Sequence, residues 1–277
     1  MGWPDEPNDM TDVTILTDDC VAEPAPRGLR GEWGFAAAVG DVLFDTGQTG
    51  VVTENADRLG LEFDFETIVL SHGHDDHTGG LEAALARLEE PTVYCHPSVW
   101  TDRYLEGEDG RRSIGIPYMR EEIERVATVV EHTEPVEVAP GIHALGEIPR
   151  RHPDATVGLI DDGDGSRADP VRDDQSLAVE TDDGLGLVLG CGHAGLRNTV
   201  EYAESVLGDD VRYVVGGTHL RAFDERTVRA LATWLEGRLE VFAGTHCTGA
   251  TAQHIFADRF PNAFASVGVG SVLQLPR

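Results

Sequence analysis

The chain has 277 residues, with 21 basic and 50 acidic side chains and a net charge of −29; every basic residue is arginine. Acidity of this degree weighs against a nucleic-acid backbone or an anionic membrane as the main partner. No apolar run reaches the roughly 18 residues of a membrane-crossing helix, and the composition excludes collagen, coiled coil and wholesale disorder. The length allows one large α/β domain or two small ones.

Residues 1–10 are acidic and polar, without the basic and apolar regions of a secretion signal. Cys20, Cys95, Cys191 and Cys247 form no CxxC pair. A cytoplasmic chain with reduced thiols is the expectation. Apolar patterning predicts strands over 13–16, 35–39 and 42–44, then a helix over 52–59 ended by Gly60. A short buried strand over 67–70 precedes a helical stripe over 80–88, and a strand returns at 93–95. Residues 97–124 break the rhythm and read as an insertion with some helix, a lid over whatever site the domain carries. Short strands follow at 128–130, 136–138 and 142–145, and 161–174 reads as an acidic surface loop.

The second half is more regular. Strands are predicted at 177–180, 186–189, 211–215 and 239–242, and helices at 198–207, 225–235 and 250–257. Closing strands are expected at 263–265 and 272–275. Two β-rich halves, each with helices, predict an α/β fold in which one domain spanning 1–277 forms a four-layer αββα sandwich.

The sharpest feature is Ser71-His72-Gly73-His74-Asp75-Asp76-His77-Thr78-Gly79-Gly80, between the strand at 67–70 and the helix that follows. His72 and His74 are two apart, so in extended backbone both point the same way and can clamp one cation. The next turn can aim Asp76 and His77 at a second. Gly73, Gly79 and Gly80 supply backbone freedom for tight turning. His193, His219 and His246 each follow a predicted strand in a Gly-rich turn, where α/β sites are built. His96, His132, His143, His152 and His254 lack that context and read as ordinary polar residues.

With HxHxDH, the sequence resembles the metallo-β-lactamase superfamily. Phe44-Asp45-Thr46-Gly47, Gly146-Glu147-Ile148-Pro149-Arg150, Asp173-Asp174-Gln175, Gly190-Cys191-Gly192-His193-Ala194-Gly195 and Gly244-Thr245-His246-Cys247-Thr248-Gly249 occur in order. That set resembles the subgroup named for dihydropterin–ribofuranosylaminobenzene phosphate synthase. The resemblance implies the four-layer metallo-β-lactamase sandwich with two divalent cations between its sheets, zinc first, with manganese or iron also fitting a mixed nitrogen and oxygen shell. One cation would take His72 and His74, and the other Asp76, His77 and His246. His193 would hold the bridging position in place of an aspartate. A neutral imidazole cannot bridge as a carboxylate does, so an asymmetric centre, or one weakly held cation, is expected. His219 ranks lower, as a substrate-side group or weak ligand. Asp45 is either a turn residue or the partner that orients a metal-bound histidine. Cys191 and Cys247 read as small buried packing residues, with thiolate ligation as the alternative.

Such a centre can activate water or neutralise charge on a phosphate oxygen, with Asp76 steering the nucleophile's proton. The resemblance implies that a dihydropterin methyl diphosphate is joined to an aminobenzene ribofuranosyl phosphate, with release of diphosphate. A phosphorylated small molecule would then be the partner, with Arg111, Arg112, Arg150 and Arg151 as candidate contacts, each weighed against a solvated surface role. Hydrolysis of a phosphodiester, thioester or lactone is the alternative, since fold does not decide chemistry. A non-catalytic metal-binding protein is the third reading.

Abundant carboxylates without lysine lead to the expectation of a protein adapted to concentrated salt, which screens their repulsion. Thermal melts across a salt series should show the melting temperature rising steeply with salt; a flat series would refute the idea.

Overall fold

The computed structural model describes residues 10–22, 26–108, 110–161 and 165–277. The readings that fall on residues 1–9, 109 and 162–164 lie outside the described residues. The elements begin with β1 (Met10–Thr17), β2 (Ala36–Val39), β3 (Val42–Phe44), α1 (Val51–Leu59), β4 (Thr67–Val69), α2 (Asp75–Thr78), α3 (Leu81–Leu85) and β5 (Thr92–Cys95). Next come β6 (Arg103–Gly107), β7 (Gly110–Ser113), α4 (Arg120–Ile123), β8 (Thr128–Glu131), β9 (Val136–Ala139), β10 (Ile142–Ala144), β11 (Leu159–Asp161) and β12 (Ser166–Ala168). The last are β13 (Ser176–Thr181), β14 (Gly184–Leu189), α5 (Leu196–Leu207), β15 (Val211–Gly217), α6 (Glu225–Leu235), β16 (Val241–Thr245), α7 (Ala250–Arg259) and β17 (Val272–Pro276).

Side-chain alternation divides the core. In β1, Val13 and Ile15 face the middle of the molecule and Leu16 faces outward; in β14, Val188 faces inward and Leu187 and Leu189 outward. A seven-stranded sheet, ordered β17-β1-β2-β3-β4-β5-β8, packs on a six-stranded one, ordered β16-β15-β14-β13-β10-β9. Phe35, Phe44, Val179, Val188 and Val215 fill the space between them. Outside the first sheet, Leu16, Leu43 and Ile68 meet Val52 and Ala56 of α1 and Leu81 of α3. Outside the second, Leu187 and Leu189 meet Val200, Val228 and Phe256 of α5, α6 and α7. Each such side chain contributes roughly 1.5–3 kcal/mol by leaving water. The result is the expected four-layer αββα sandwich.

Gly60 ends α1 as its sequence position predicts: its φ is 71°, and its N–H reaches back to the Ala56 and Asp57 carbonyls. The helix expected over 80–88 is shorter, Leu81–Leu85, and 263–265 makes only a bridge between Phe242 and Phe264. The insertion at 97–124 differs more. Its middle is a β-hairpin, β6–β7, that joins β11 and β12 in a third sheet of four strands. Its pairing partner lies some fifty residues downstream, beyond the reach of a local pattern.

The stretch 161–174 is a solvated segment only in part: among its described residues, 161 and 165–168 are exposed, as expected, but the end from 169 turns inward. Asp169, Asp173 and Asp174 are buried; Asp174 accepts from the Ala194 N–H at 2.8 Å, and the other two are held by Arg103, which is only 1% exposed. Arg103 Nε donates to Asp169 at 2.6 Å and Nη2 to Asp173 at 2.5 Å, while the other Asp173 oxygen accepts from the Gly73 N–H at 2.7 Å. The histidine loop, the hairpin and the acidic stretch thus share one ion cluster. A side chain at Gly73 would collide with the Val99 carbonyl. Gly73, Gly79 and Gly80 all lack positive φ, so close approach, not turning freedom, requires them.

The connections β3–β4 and β14–β15–β16 are parallel, so these five strands carry their C-terminal ends to one edge of the sandwich. No described helix is long and apolar enough to cross a membrane. Replacing Arg103 with leucine should destabilise the fold by about 3–5 kcal/mol, because it strands two buried carboxylates; urea unfolding of the variant measures this.

Candidate metal centre

Asp45 follows β3 with φ 58°, a left-handed backbone that costs a non-glycine residue roughly 1–3 kcal/mol. That conformation turns its carboxylate back across the end of β4. Oδ1 accepts from the Ser71 N–H at 2.7 Å, and Oδ2 accepts from Ser71 Oγ at 2.6 Å and from His77 Nδ1 at 2.7 Å. The Ser71 hydroxyl in turn accepts from His72 Nδ1 at 2.9 Å. With both Nδ1 atoms engaged, His72 and His77 each present Nε2 to the space between the sheets. Of the two roles open to Asp45, the geometry is that of the orienting partner.

His72 Nε2 faces His74 Nδ1 at 2.8 Å. The His193 ring lies 4.8 Å from the ring of His72 and 5.1 Å from that of His74; its Nδ1 donates to the Ala155 carbonyl at 3.1 Å. On the other side, Asp76 Oδ2 is 3.9 Å from His77 Nε2 and 3.6 Å from His246 Nε2. All six expected ligands therefore converge, but His193 stands beside the His72–His74 pair rather than between the two halves. The residue between them is Cys191. It joins His72 and His193 in one group of donor atoms and His77 and His246 in another, each group within 4.8 Å. Sequence reasoning placed Cys191 in the packing, because a cysteine between two glycines carries no spacing signal.

Among the described residues, the buried nitrogens His74 Nε2, His193 Nε2, and both Nδ1 and Nε2 of His246 have no hydrogen-bond partner. Buried nitrogens left unpaired cost free energy unless something occupies them, and imidazole, carboxylate and thiol together suit a divalent transition metal. The donor set fits such ions. Burial and the neighbouring imidazoles hold His72 and His193 well below the ordinary histidine pKa, and burial with Arg103 does so for His74. Burial and His77 push His246 down to about 3. These four rings are neutral, the form that binds metal. Burial works against a charge on His77, but Asp76 and Asp45 outweigh it and raise its pKa to about 9.

The centre forms the floor of a cleft of about 140 Å³, lined also by Trp33, Gln48, Leu105, Arg112 and Val157. The hairpin hangs beside it, tied to the histidine loop by a bond from Asp75 N–H to the Ile114 carbonyl at 2.9 Å. Of the paired arginines, Arg112 lines the cleft, whereas Arg111 turns away to Asp161, Glu106 and Ser166. Neighbours on a strand point to opposite faces, so the two cannot act together. Arg150 is also not at the mouth: it pairs with Asp154 at 2.9 Å and with the Val171 carbonyl. His219 lies against His193, with ring centroids 4.4 Å apart. Trp33, which the sequence did not flag, has its ring 4.9 Å from His246, with the Arg221 guanidinium 5.0 Å above it.

Asp45→Ala should lower affinity for zinc roughly 10–100-fold by freeing two imidazoles to rotate; competition against a chromophoric chelator measures the change.

A family model described as the metallo-beta-lactamase superfamily matches residues 40–168. A 7,8-dihydropterin-6-methyl-4-(beta-D-ribofuranosyl)-aminobenzene-5'-phosphate synthase of Methanocaldococcus jannaschii is 30% identical over 220 residues, 76% of this chain and 75% of that protein. The uncharacterized protein MJ0448 of the same organism is 31% identical over 245 residues, 86% of this chain and 90% of that one. Among solved structures, Tm1679, described as a metal-dependent hydrolase of the beta-lactamase superfamily, has a TM-score of 0.83 at 27% identity, covering 96% of this chain and 100% of that one. With its histidine loop at the mouth of an αββα sandwich and a synthase relative aligned over three quarters of both chains, this protein belongs to the metallo-beta-lactamase superfamily.

Proposed function

We propose that the chain is a metal-dependent transferase that acts on a phosphorylated small molecule, joining a dihydropterin methyl diphosphate to an aminobenzene ribofuranosyl phosphate with release of diphosphate. The observation that carries this reading is a cleft whose floor is the imidazole and carboxylate cluster and whose wall is Arg112, in a chain similar to the synthase. His72, His74 and His193 would hold one divalent cation and Asp76, His77 and His246 a second, zinc being the first expectation. Such ions neutralise a departing diphosphate or make bound water a nucleophile.

The chain's own groups divide the remaining work. The Arg112 guanidinium fork is suited to a phosphate group. Trp33, with Arg221 stacked on it, offers a flat wall to a ring of pterin size. The Asp76 carboxylate lines the cleft, where it can take the proton of the attacking amine or carbon acid. His219, beside His193, faces the same space. Asp45 works through His77 and Ser71 and touches no substrate.

The likeness to Tm1679, described as a hydrolase, supports the second reading, in which water is the acceptor. Zinc-loaded protein incubated with both synthase substrates should release diphosphate only when both are present. Turnover of a simple phosphodiester without that reaction would favour the hydrolase, and metal binding without either turnover would leave a non-catalytic metal-binding protein. Arg112→Ala should raise KM for the phosphorylated substrate about tenfold, the loss of one charge-assisted contact, with metal content unchanged. Arg111→Ala should leave KM where it was; steady-state kinetics on the two variants separates them.

A further inference from the structure

We propose that Gln48 selects the heterocyclic substrate of the cleft: its carboxamide pairs with a ring amide edge, N–H beside C=O, of a bicycle laid against Trp33. This rests on the reading above that the cleft receives a pterin and a phosphorylated aminobenzene, and it gives each of them its own end of the cleft.

Trp33 and Gln48 stand on two loops of the first sheet that are bound to each other. Glu32 Oε1 accepts from the N–H groups of Gln48 and Thr49, each at 3.1 Å, and Oε2 accepts from Thr49 Oγ1 at 2.6 Å. The Gly47 N–H donates to the Phe35 carbonyl at 3.1 Å, and the Phe35 N–H to the Asp76 carbonyl at 3.3 Å. Two glycines close the clamp: a side chain at Gly34 would strike the Asp76 carbonyl, and one at Gly79 would strike the Gln48 carbonyl. Gln48 is therefore fixed at its backbone while its side chain lines the cleft. No described residue forms a hydrogen bond with its carboxamide. A polar group carried on so firmly held a backbone loses little freedom when a ligand pairs with it.

A carboxamide offers an acceptor and a donor side by side. Its complement is the same pair reversed, as on the pyrimidinone edge of a pterin. A phosphate only accepts and a benzene ring does neither, so neither satisfies both halves of the group. The flat surface is the indole of Trp33, which is 42% exposed and lies 4.9 Å from the ring of His246. The hairpin end is built for a different guest. Leu105 and Arg112 face each other across β6 and β7, and Ile114, two residues beyond Arg112, accepts from the Asp75 N–H. An apolar side chain beside a guanidinium suits an aromatic ring that carries phosphate. The heterocycle thus enters beside His246 and the phosphorylated ring beside Asp75.

Fluorescence titration of the full chain with 6-hydroxymethylpterin, which carries no phosphate, tests this. The parent chain should bind it. Gln48→Leu should weaken binding roughly 10–100-fold, the loss of two hydrogen bonds of ordinary strength, with metal content unchanged. The N3-methyl derivative, whose ring N–H is blocked, separates pairing from a merely structural role. It should bind the parent about tenfold more weakly than the unmethylated pterin, whereas Gln48→Leu should bind the two alike. Trp33→Leu should weaken both. Arg112→Ala should leave pterin affinity where it was, and a loss there would overturn the division of the cleft. A parent chain that does not bind the pterin, or a Gln48→Leu variant that still prefers the unmethylated form tenfold, would overturn the role of Gln48. Pterin binding that depends on Gln48, without release of diphosphate from the two substrates, would uphold that role and refute the synthase. Diphosphate release with an unchanged KM for the pterin substrate in Gln48→Leu would uphold the synthase and overturn the role of Gln48.

Discussion

One buried carboxylate organises this molecule. Asp45 accepts three hydrogen bonds at the junction of two strands and a histidine loop, and through them fixes the rings of His77 and, by way of Ser71, of His72. Its left-handed backbone is a local cost that the surrounding contacts sustain. The second sheet closes over the same group: a side chain at Gly190 would strike both Ser71 Oγ and Asp45 Oδ2. The sheets can therefore approach at this edge only because one position has no side chain. That approach brings Cys191 and His193 opposite the first loop.

Much of this was legible in the sequence. Two β-rich halves, each with helices, predicted the αββα sandwich, and the histidine loop and the later Gly-His turns marked a site at strand ends, because periodicity and turn chemistry are local properties. What escaped was non-local or depended on direction. The pairing of β6 with β11 joins segments far apart in the chain, so residues 97–124 did not announce a sheet. Arg103 has no sequence signal, yet it draws Asp169 and Asp173 out of solvent and turns the end of an otherwise exposed stretch inward. Adjacent arginines looked like one anion contact until the strand beneath them sent them to opposite faces. Trp33 lay before any motif. The order of Cys191 and His193 was plain, but which of them reaches the middle depends on how the Gly190–Gly192 turn is folded.

The electrostatics have two regimes. On the surface, arginines pair with acidic neighbours, as Arg30 does with Glu54, Arg87 with Asp57, Arg229 with Glu225 and Arg259 with Glu236. Each such pair contributes little in water. With 50 acidic side chains against 21 arginines, the carboxylates outnumber the cations and the net charge is −29. Inside, the same chemistry is costly to disturb, as at Arg103. The cleft lies between these regimes, and Arg112 and Arg221 stand out there because positive charge is scarce elsewhere.

The placement of the ligand-bearing turns has a consequence for the order of assembly. Asp45 and the histidine loop belong to the first sheet, whereas Cys191, His193 and His246 belong to the second, and β17, which follows all of them in the chain, pairs with β1. A nascent chain that has emerged only through the histidine loop displays His72, His74, Asp76 and His77 without the groups that face them. Any ion captured then would be held by half a coordination shell. Tight binding would wait for the second sheet to dock, and its free energy would then belong to the folded state. A cation at this edge would therefore act as a late clasp between the two halves of the chain, closing a loop whose entropy folding has already met.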